Sequence, residues 1–396
     1  MTLPLNGVRV LDLSRMLAGD YGAMIMGDMG AEIIKIEDPD EGDPLRKMPP
    51  HFLACESAYF LSINRNKKSM VLNLTKPEGQ EVFYQLVKKS DVVFDNFRPG
   101  ILKKLGADYE TLCRHNPRII ACSISSYGDT GPYKDMPGFD LVIQALSGAM
   151  SITGEPGRDP VRMGIPMGDL AGSMFAAYAI SAALYGREKT GRGSRIDLSM
   201  LDCLVSLLTY VGQYWFAGGG LPQHAGSGHA SVVPYRAYKT KDGFITIAIF
   251  VEKFWGKLCE VVGRPELADD ARYASTAMRL KNRTEVDMML EERFASDTTE
   301  AWIKKLYKAG IPAAPVNTID QVFANPQIQA RNMQIEINHP KCGKYPMIGN
   351  PIKIDNEPDC LAVPPPLLGQ HTEEILTQIL EYTKTNIEQL KKEGII

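Results

Sequence analysis

The chain has 396 residues, too many for one compact core of ordinary size, so at least two lobes are expected. Hydrophobic residues make up 44% and charged residues 23%, which excludes a disordered chain. A net charge of −3 argues against a globally basic nucleic-acid binder.

The opening segment, Met1 to Gly7, has neither the basic nor the apolar stretch of a targeting signal. The first third alternates strand and helix signals. Val8–Leu13 and Glu32–Glu37 are rich in β-formers and flank a helical stretch, Tyr21 to Met29, that Gly30 stops. Pro77 opens a helix running to about Lys89, followed by strands at Asp91–Phe94 and Arg118–Ser123. Strands separated by helices predict an α/β fold around a parallel sheet.

Two long apolar helices are expected next, Leu170–Arg187 and Leu201–Phe216, separated by the glycine turn Thr190–Ser194. Their uncharged stretches are near or below the roughly 18 residues needed to span a bilayer and read as buried core helices, so no membrane partner is expected. Gly218-Gly219-Gly220 marks a lobe boundary. Beyond it, Tyr235–Thr240, Lys241-Asp242-Gly243 and Phe244–Phe250 predict a hairpin with an Asp-Gly turn. Helices follow at Glu252–Val262, Arg279–Phe294, Thr299–Lys308 and, near the C-terminus, Thr372–Tyr382. The seven scattered cysteines form no C-x-x-C pair, which suggests reduced thiols in a cytoplasmic protein and no zinc site.

P-loop, nucleophile-elbow and dinucleotide-fingerprint motifs are all missing. Three features carry a signal. The first is basic: Asn64–Ser69 with Arg98, Lys103 and Lys104, which could bind phosphates at strand ends or form a solvated face. In the second, Gly168-Asp169 opens an Ala-rich helix, where Asp169 is either an ordinary cap or a reactive carboxylate kept ionised by the helix dipole. The third is the loop Ser126–Tyr133 running into Gly138-Phe139-Asp140, a place for binding groups or a plain turn.

Together these residues resemble the class III CoA-transferases, the formyl-CoA and carnitine CoA-transferase family. The likeness runs nearly end to end, through Leu17-Ala18-Gly19, Asp28–Glu37, Gly42-Asp43-x-x-Arg46, Asn64–Ser69, Asn96–Gly100, Tyr127-Gly128-x-x-Gly131-Pro132, Gly168-Asp169, Thr190-Gly191-x-Gly193 and Pro366-Leu367-Leu368-Gly369-x-His371-Thr372. The resemblance implies that Asp169 is the catalytic nucleophile, forming an anhydride and then an aspartyl-CoA thioester. It implies CoA contacts from Arg15, Met16, Leu17, Ala18, Leu72, Thr75, Asn96, Phe97, Arg98 and Lys104. Asp38 departs from the formyl-CoA transferase pattern, which has a basic residue there. The family's mobile glycine loop corresponds to Gly226–Ser231, with Gly228 and His229 as candidates, although the run of glycines is absent.

The segment from Gly228 to Gly243 resembles the dicarboxylate-using members, such as succinyl-CoA–glutarate CoA-transferases. Succinyl-CoA or another short dicarboxyl-CoA is therefore the expected donor and a carboxylic acid the acceptor. Arg46, Arg65 and His229 are candidates for the distal carboxylate; a surface arginine or a loop histidine is the alternative. CoA enters as substrate and product, and no tightly bound cofactor or metal is expected. A racemase of the same fold would carry a proton-transferring histidine where Phe139 stands; a non-catalytic CoA-binding protein is a further alternative. The family's fold implies a Rossmann-like large lobe, a smaller α+β lobe and an interlocked homodimer. Expected boundaries are 1–200 for the large lobe, completed by about 340–396; 201–224 for a linker helix and glycine break; 225–330 for the small lobe; and 331–396 for the return linker and the last part of the large lobe.

Overall fold

The computed structural model describes residues 3–354 and 362–396; Cys360 lies outside them, as do Met1 and Thr2. The chain divides into two compact units. The first contains Met1–Met150, Arg162–Gly219 and Gln329–Ile396; the second contains Ser151–Val161 and Gly220–Ile328.

The first unit is built on a six-stranded sheet: β1 (Arg9–Asp12), β2 (Glu32–Glu37), β3 (Lys67–Val71), β4 (Val92–Asp95), β5 (Ile120–Ser125) and β6 (Ser194–Ser199). Every pairing is parallel and the spatial order is β3-β2-β1-β4-β5-β6. The chain thus winds one way from β1 to β3 and the other way from β4 to β6. The order reverses between β1 and β4, where loops leaving the strand ends diverge and open a crevice.

Both sheet faces are covered, which is why the inner strands are nearly continuous apolar runs. On one face Leu11, Ile34, Met70 and Val93 pack with Phe83 and Leu86 of the helix over Pro77–Lys88 and with Ile375, Leu376, Ile387 and Leu390 near the C-terminus. That helix is α2, and α1 spans Met16–Asp28. On the opposite face Val10, Ile33, Val92, Phe94 and Ile124 pack with Ala23 and Met26 of α1 and with Ala176, Ala177 and Ile180. The last three belong to a longer helix described next.

The remaining helices of interest are α3 (Asp140–Leu146), α4 (Met167–Thr190), α5 (Met200–Ser206) and α6 (Thr209–Phe216). Helix α4 is long and apolar enough to cross a membrane by length and composition. Its inner residues Ala171, Gly172, Ser173, Ala176 and Ile180 are nevertheless buried in the first unit. The helix expected over Leu201–Phe216 is two, α5 and α6, because the backbone at Thr209 turns to φ 44. Strands β3 and β6 lie outside the expected elements, since Asn64–Ser69 suggests a phosphate-binding or solvated basic segment and Thr190–Ser194 a loop. In fact Lys67 is fully buried, and Gly191 (φ 69) ends α4 so that Ser194 can start an edge strand.

The second unit carries β7 (Tyr235–Lys239), β8 (Phe244–Ala248) and β9 (Ala313–Pro315) in an antiparallel sheet of order β9-β8-β7. Its core packs Ile245, Ile247, Trp255, Leu258, Leu290, Phe294 and Trp302. Two features of its extent differ from expectation. Ser151–Val161, expected in the large lobe, belongs to the second unit, where Gly226 N donates to Gly154 O. Residues 201–219, expected as a linker, belong to the first.

Candidate active site

The crevice at the strand reversal is a cavity of about 480 Å³ in the first unit. After β1 come Arg15, Met16, Leu17 and Ala18; after β4 come Asn96, Phe97, Arg98 and Pro99; after β5 come Ser126 and Tyr127. Tyr59, Lys134, Phe139, Asp169 and Met200 complete much of the wall. The first two loops are joined by the Asn96 side chain, whose Oδ1 accepts from Arg15 N (2.8 Å) and whose Nδ2 donates to Arg15 O (2.6 Å). The Arg15 guanidinium lies 5.4 Å from the Phe97 ring centre.

Asp169 stands in the first turn of α4, three residues after the cap position at Pro166, so it is not the cap. Asp140, in the first turn of α3, supplies an acceptor for that helix start. Its Oδ1 accepts from Gly168 N (2.8 Å) and Asp169 N (3.4 Å), while its Oδ2 accepts from Gln144. A Cβ on Gly168 would lie 3.0 Å from Asp140 Oδ1, which gives the Gly-Asp pair a steric reason. Ser173 Oγ donates to Ala18 O (2.6 Å) and to Asp169 O (2.9 Å), tying the turn that carries Asp169 to the β1 loop.

Burial, reinforced by the charge of Asp140, pushes Asp169 up to about 7. Burial and Asp140 thus oppose the expected effect of the helix dipole. The outcome is a carboxylate that is charged above neutrality, weakly solvated and therefore reactive, beside a cavity large enough to admit an organic substrate. Burial raises Tyr59 in the same wall, with the field of Asp169 adding to the effect.

Of the residues the resemblance picked out, Arg15, Met16, Leu17, Ala18, Asn96, Phe97 and Arg98 share this cavity with Asp169. Leu72, Thr75 and Lys104 do not line it. The Leu72 side chain is in the core beneath the sheet, and Thr75 bonds to Asn73 at the surface. Lys104 is exposed, whereas its neighbour Lys103 lines a second cavity of about 270 Å³. Lys103, Arg98, Lys134 and Arg195 give that cavity four cationic side chains, and it shares Phe97, Arg98, Pro99 and Lys134 with the larger one.

Arg46 and Arg65 are corrected as candidates for the distal carboxylate. Arg46 is bidentate to Glu37 (2.8 and 2.7 Å), donates also to Pro366 O and lies over the Phe60 ring. Arg65 is bidentate to Asp28 (2.8 and 2.5 Å) and donates to Ile348 O. Both are buried, both have carboxylate partners, and neither lines the cavity.

Gly228 and His229 belong to the second unit. Their N–H groups already donate, Gly228 to Ala225 O (2.8 Å) and His229 to Tyr235 O (3.0 Å), so as described they offer no oxyanion donors. The His229 Nδ1 accepts from Ser231 N, and Arg283 holds the loop by donating to His229 O (2.7 Å).

Sequence reasoning singled out neither Tyr59 nor Lys134 nor Met200. Lys134 follows the Gly131-Pro132-Tyr133 turn, and that position is its only signal in the sequence. Tyr59 has no motif around it. Asp140 belongs to the Gly138-Phe139-Asp140 segment, but its link to the Gly168-Asp169 backbone depends on folding.

A profile of CoA-transferase family III matches residues 5–372. The succinyl-CoA:glutarate CoA-transferase of Mus musculus is 42% identical over 393 residues, covering 99% of this chain and 90% of that protein. The succinate–glutarate CoA-transferase of Agrobacterium fabrum is 35% identical, covering 96% of this chain and 97% of that protein. A crystal structure of a CAIB/BAIF family protein from Brucella suis superposes with a TM-score of 0.85 at 36% identity, covering 96% of this chain and all, 100%, of that one.

Proposed function

The chain belongs to CoA-transferase family III, and on that premise we propose that it moves CoA from succinyl-CoA, or another short dicarboxyl-CoA, to a carboxylic acid through covalent chemistry on Asp169. The observation that carries this reading is the placement of Asp169. It is a half-buried carboxylate at a helix start, in the wall of a cavity formed by the Arg15–Ala18 and Asn96–Arg98 loops. The dicarboxyl donor is supported by the relatives named for succinyl-CoA and glutarate.

In this mechanism the ionised Asp169 attacks the thioester carbonyl. The C–S bond breaks, CoA leaves as the thiolate, and the donor acid is joined to Asp169 as a mixed anhydride. The thiolate attacks the Asp169 carbonyl and expels the donor carboxylate, leaving an aspartyl-CoA thioester. The acceptor carboxylate then displaces CoA to form a second anhydride. The returning thiolate attacks the acceptor carbonyl, releasing acceptor-CoA and the Asp169 carboxylate. No water or proton is consumed, and every step exchanges one activated acyl group for another. Arg98, Lys134 and Lys103 supply positive charge for the CoA phosphates. Phe139 has no proton to give or take, which favours transfer over racemisation.

We propose further that two copies form the interlocked homodimer characteristic of the family, and that the protein works in the cytoplasm.

The test pairs a panel of acyl-CoA donors and carboxylic acids with Asp169→Ala. The expected result is transfer by the wild type and none by a folded Asp169→Ala protein. Hydroxylamine added during turnover should mark Asp169, read by peptide mass spectrometry. Substantial transfer by folded Asp169→Ala protein, or exchange of the α-hydrogen of a 2-methylacyl-CoA in deuterated water without transfer, would sink the reading.

A further inference from the structure

The turn from Ser14 to Met16 supplies Arg15 and Met16 to the cavity wall, and the local bonds from Asp12 reach only Ser14. Helix α1 begins there with no side-chain cap bond at Arg15. Met16 has φ 63, a left-handed conformation that a residue with a Cβ seldom adopts. Such a conformation persists only where its surroundings over-determine it.

The surroundings are a buried charge cluster beneath the turn. Lys35 of β2 is fully buried, and its Nζ donates to Ser14 O (2.8 Å) and lies 2.5 Å from Asp20 Oδ1 and 2.8 Å from Asp43 Oδ2. The ammonium thus donates to two acceptors, Ser14 O and Asp20 Oδ1, and has Asp43 Oδ2 as a further ion-pair partner. Asp12 accepts from Ser14 N (3.0 Å) and from Ser14 Oγ, and is itself paired with Lys67 (3.0 Å). Lys67 also reaches Asp20 (3.1 Å), and Asn64 donates to the other oxygen of Asp20. Gly19 leaves room for the Ser14 side chain, which any Cβ there would strike.

Resting on the function proposed above, we propose that Lys35 is a positioning residue for the acyl-CoA site: its buried ammonium holds the Ser14 carbonyl, and through it the Arg15–Met16 wall of the cavity. Lys35 touches no substrate. Its contribution is to bind the turn from below while Asn96 binds Arg15 from the opposite strand loop. Arginine cannot replace it, because a planar guanidinium cannot bring one nitrogen among the three oxygens of Ser14, Asp20 and Asp43.

The experiment compares wild type, Asp43→Asn, Lys35→Arg and the double variant Lys35→Met/Asp43→Asn. The double variant removes one cation and one anion together, so no additional unpaired charge is left in the cluster. Circular dichroism and urea titration establish which variants fold. Calorimetric binding of free CoA and steady-state kinetics with a transferring acyl-CoA and acid pair are then measured. The expected result for the double variant is a CoA Kd and an acyl-CoA KM raised by about ten- to a hundredfold, as for a displaced binding loop. Its kcat at saturation should change by less than about threefold, a difference well under one decade of barrier. Asp43→Asn alone should lose less binding than the double variant, because Ser14 O and Asp20 still hold the Lys35 ammonium, and folded Lys35→Arg should not restore binding. A folded double variant with wild-type Kd and KM, or Asp43→Asn alone losing as much binding, would overturn the proposal. Wild type that binds CoA but transfers it to no acid would overturn the functional reading instead, while the binding comparison would still test Lys35.

Discussion

Asp169 and Asp140 are the two residues whose coupling matters most for chemistry. A nucleophilic carboxylate must be ionised, and burial and Asp140 place Asp169 near 7. Turnover should therefore rise with pH through neutrality, with about a tenfold gain from pH 6 to pH 8 if this one ionisation governs the rate. Asp140→Asn removes the like charge and should move that acidic limb to lower pH, provided the Gly168 N–H keeps an acceptor. A limb unmoved in folded Asp140→Asn would show that the carboxylates do not interact. The same ionisation affects stability. A carboxyl raised above its unfolded value of 3.8 binds a proton more tightly in the folded state. The folded protein thus loses stability as pH rises from about 4 to 7. Asp169→Asn escapes that loss, so its gain in melting temperature over wild type should be larger at pH 8 than at pH 5, by about 1–2 °C for each kcal/mol. Asp169 was legible because Gly-Asp before an apolar helix is a local pattern. The roles of Arg46 and Arg65 were not, because Glu37 and Asp28 meet them only across β2, β3 and α1, and a basic residue in sequence looks the same whether or not its partner awaits it.

Elements were legible where their pattern was local and hidden where it depended on neighbours. Strands β1, β2, β4 and β5 announce themselves as apolar runs. Strand β3 is written in lysines, and Lys67 becomes a core residue only because Asp12 and Asp20 lie beneath it. Strand β6 alternates half-buried and exposed positions at the sheet edge and follows a glycine turn with the composition of a loop. The two glycines of that turn make separable predictions. Gly191 has a positive φ but open space around it, so Gly191→Ala should cost about 1 kcal/mol. Gly193 is different: its Cβ would strike the Ile119 carbonyl, and its N–H donates to Pro117 O (3.0 Å) just before β6 pairs with β5. Gly193→Ala should cost about 1–3 kcal/mol through forced backbone movement. Urea titrations of both variants check the order; equal losses would mean that the close approach at Gly193 relaxes without cost.

For the whole molecule, the α/β class was legible from alternation, but chain length alone would suggest a self-sufficient monomer. The surface of the first unit argues otherwise. Tyr178 and Tyr185 on α4 are 72% and 68% exposed, and Phe216 on α6 is 73% exposed, with Tyr210, Tyr214 and Trp215 also open on α6. None of the α6 residues is buried, although the helix is apolar through most of its length. Large aromatic side chains left in water on α4 and α6 support the proposed homodimer, in which a second copy of the chain would cover them. Light scattering should give twice the 43.8 kDa chain mass, with no monomer on dilution to nanomolar concentration. Interlocking adds a sharper kinetic expectation than ordinary dimerisation. Two threaded chains cannot separate while folded, so mixed dimers from two differently tagged preparations should appear no faster than the protein unfolds. Hydrogen exchange of core amides and native mass spectrometry of the mixture measure the two rates on the same sample. Rapid subunit exchange by a protein whose core amides stay protected would leave a dimer but exclude an interlocked one.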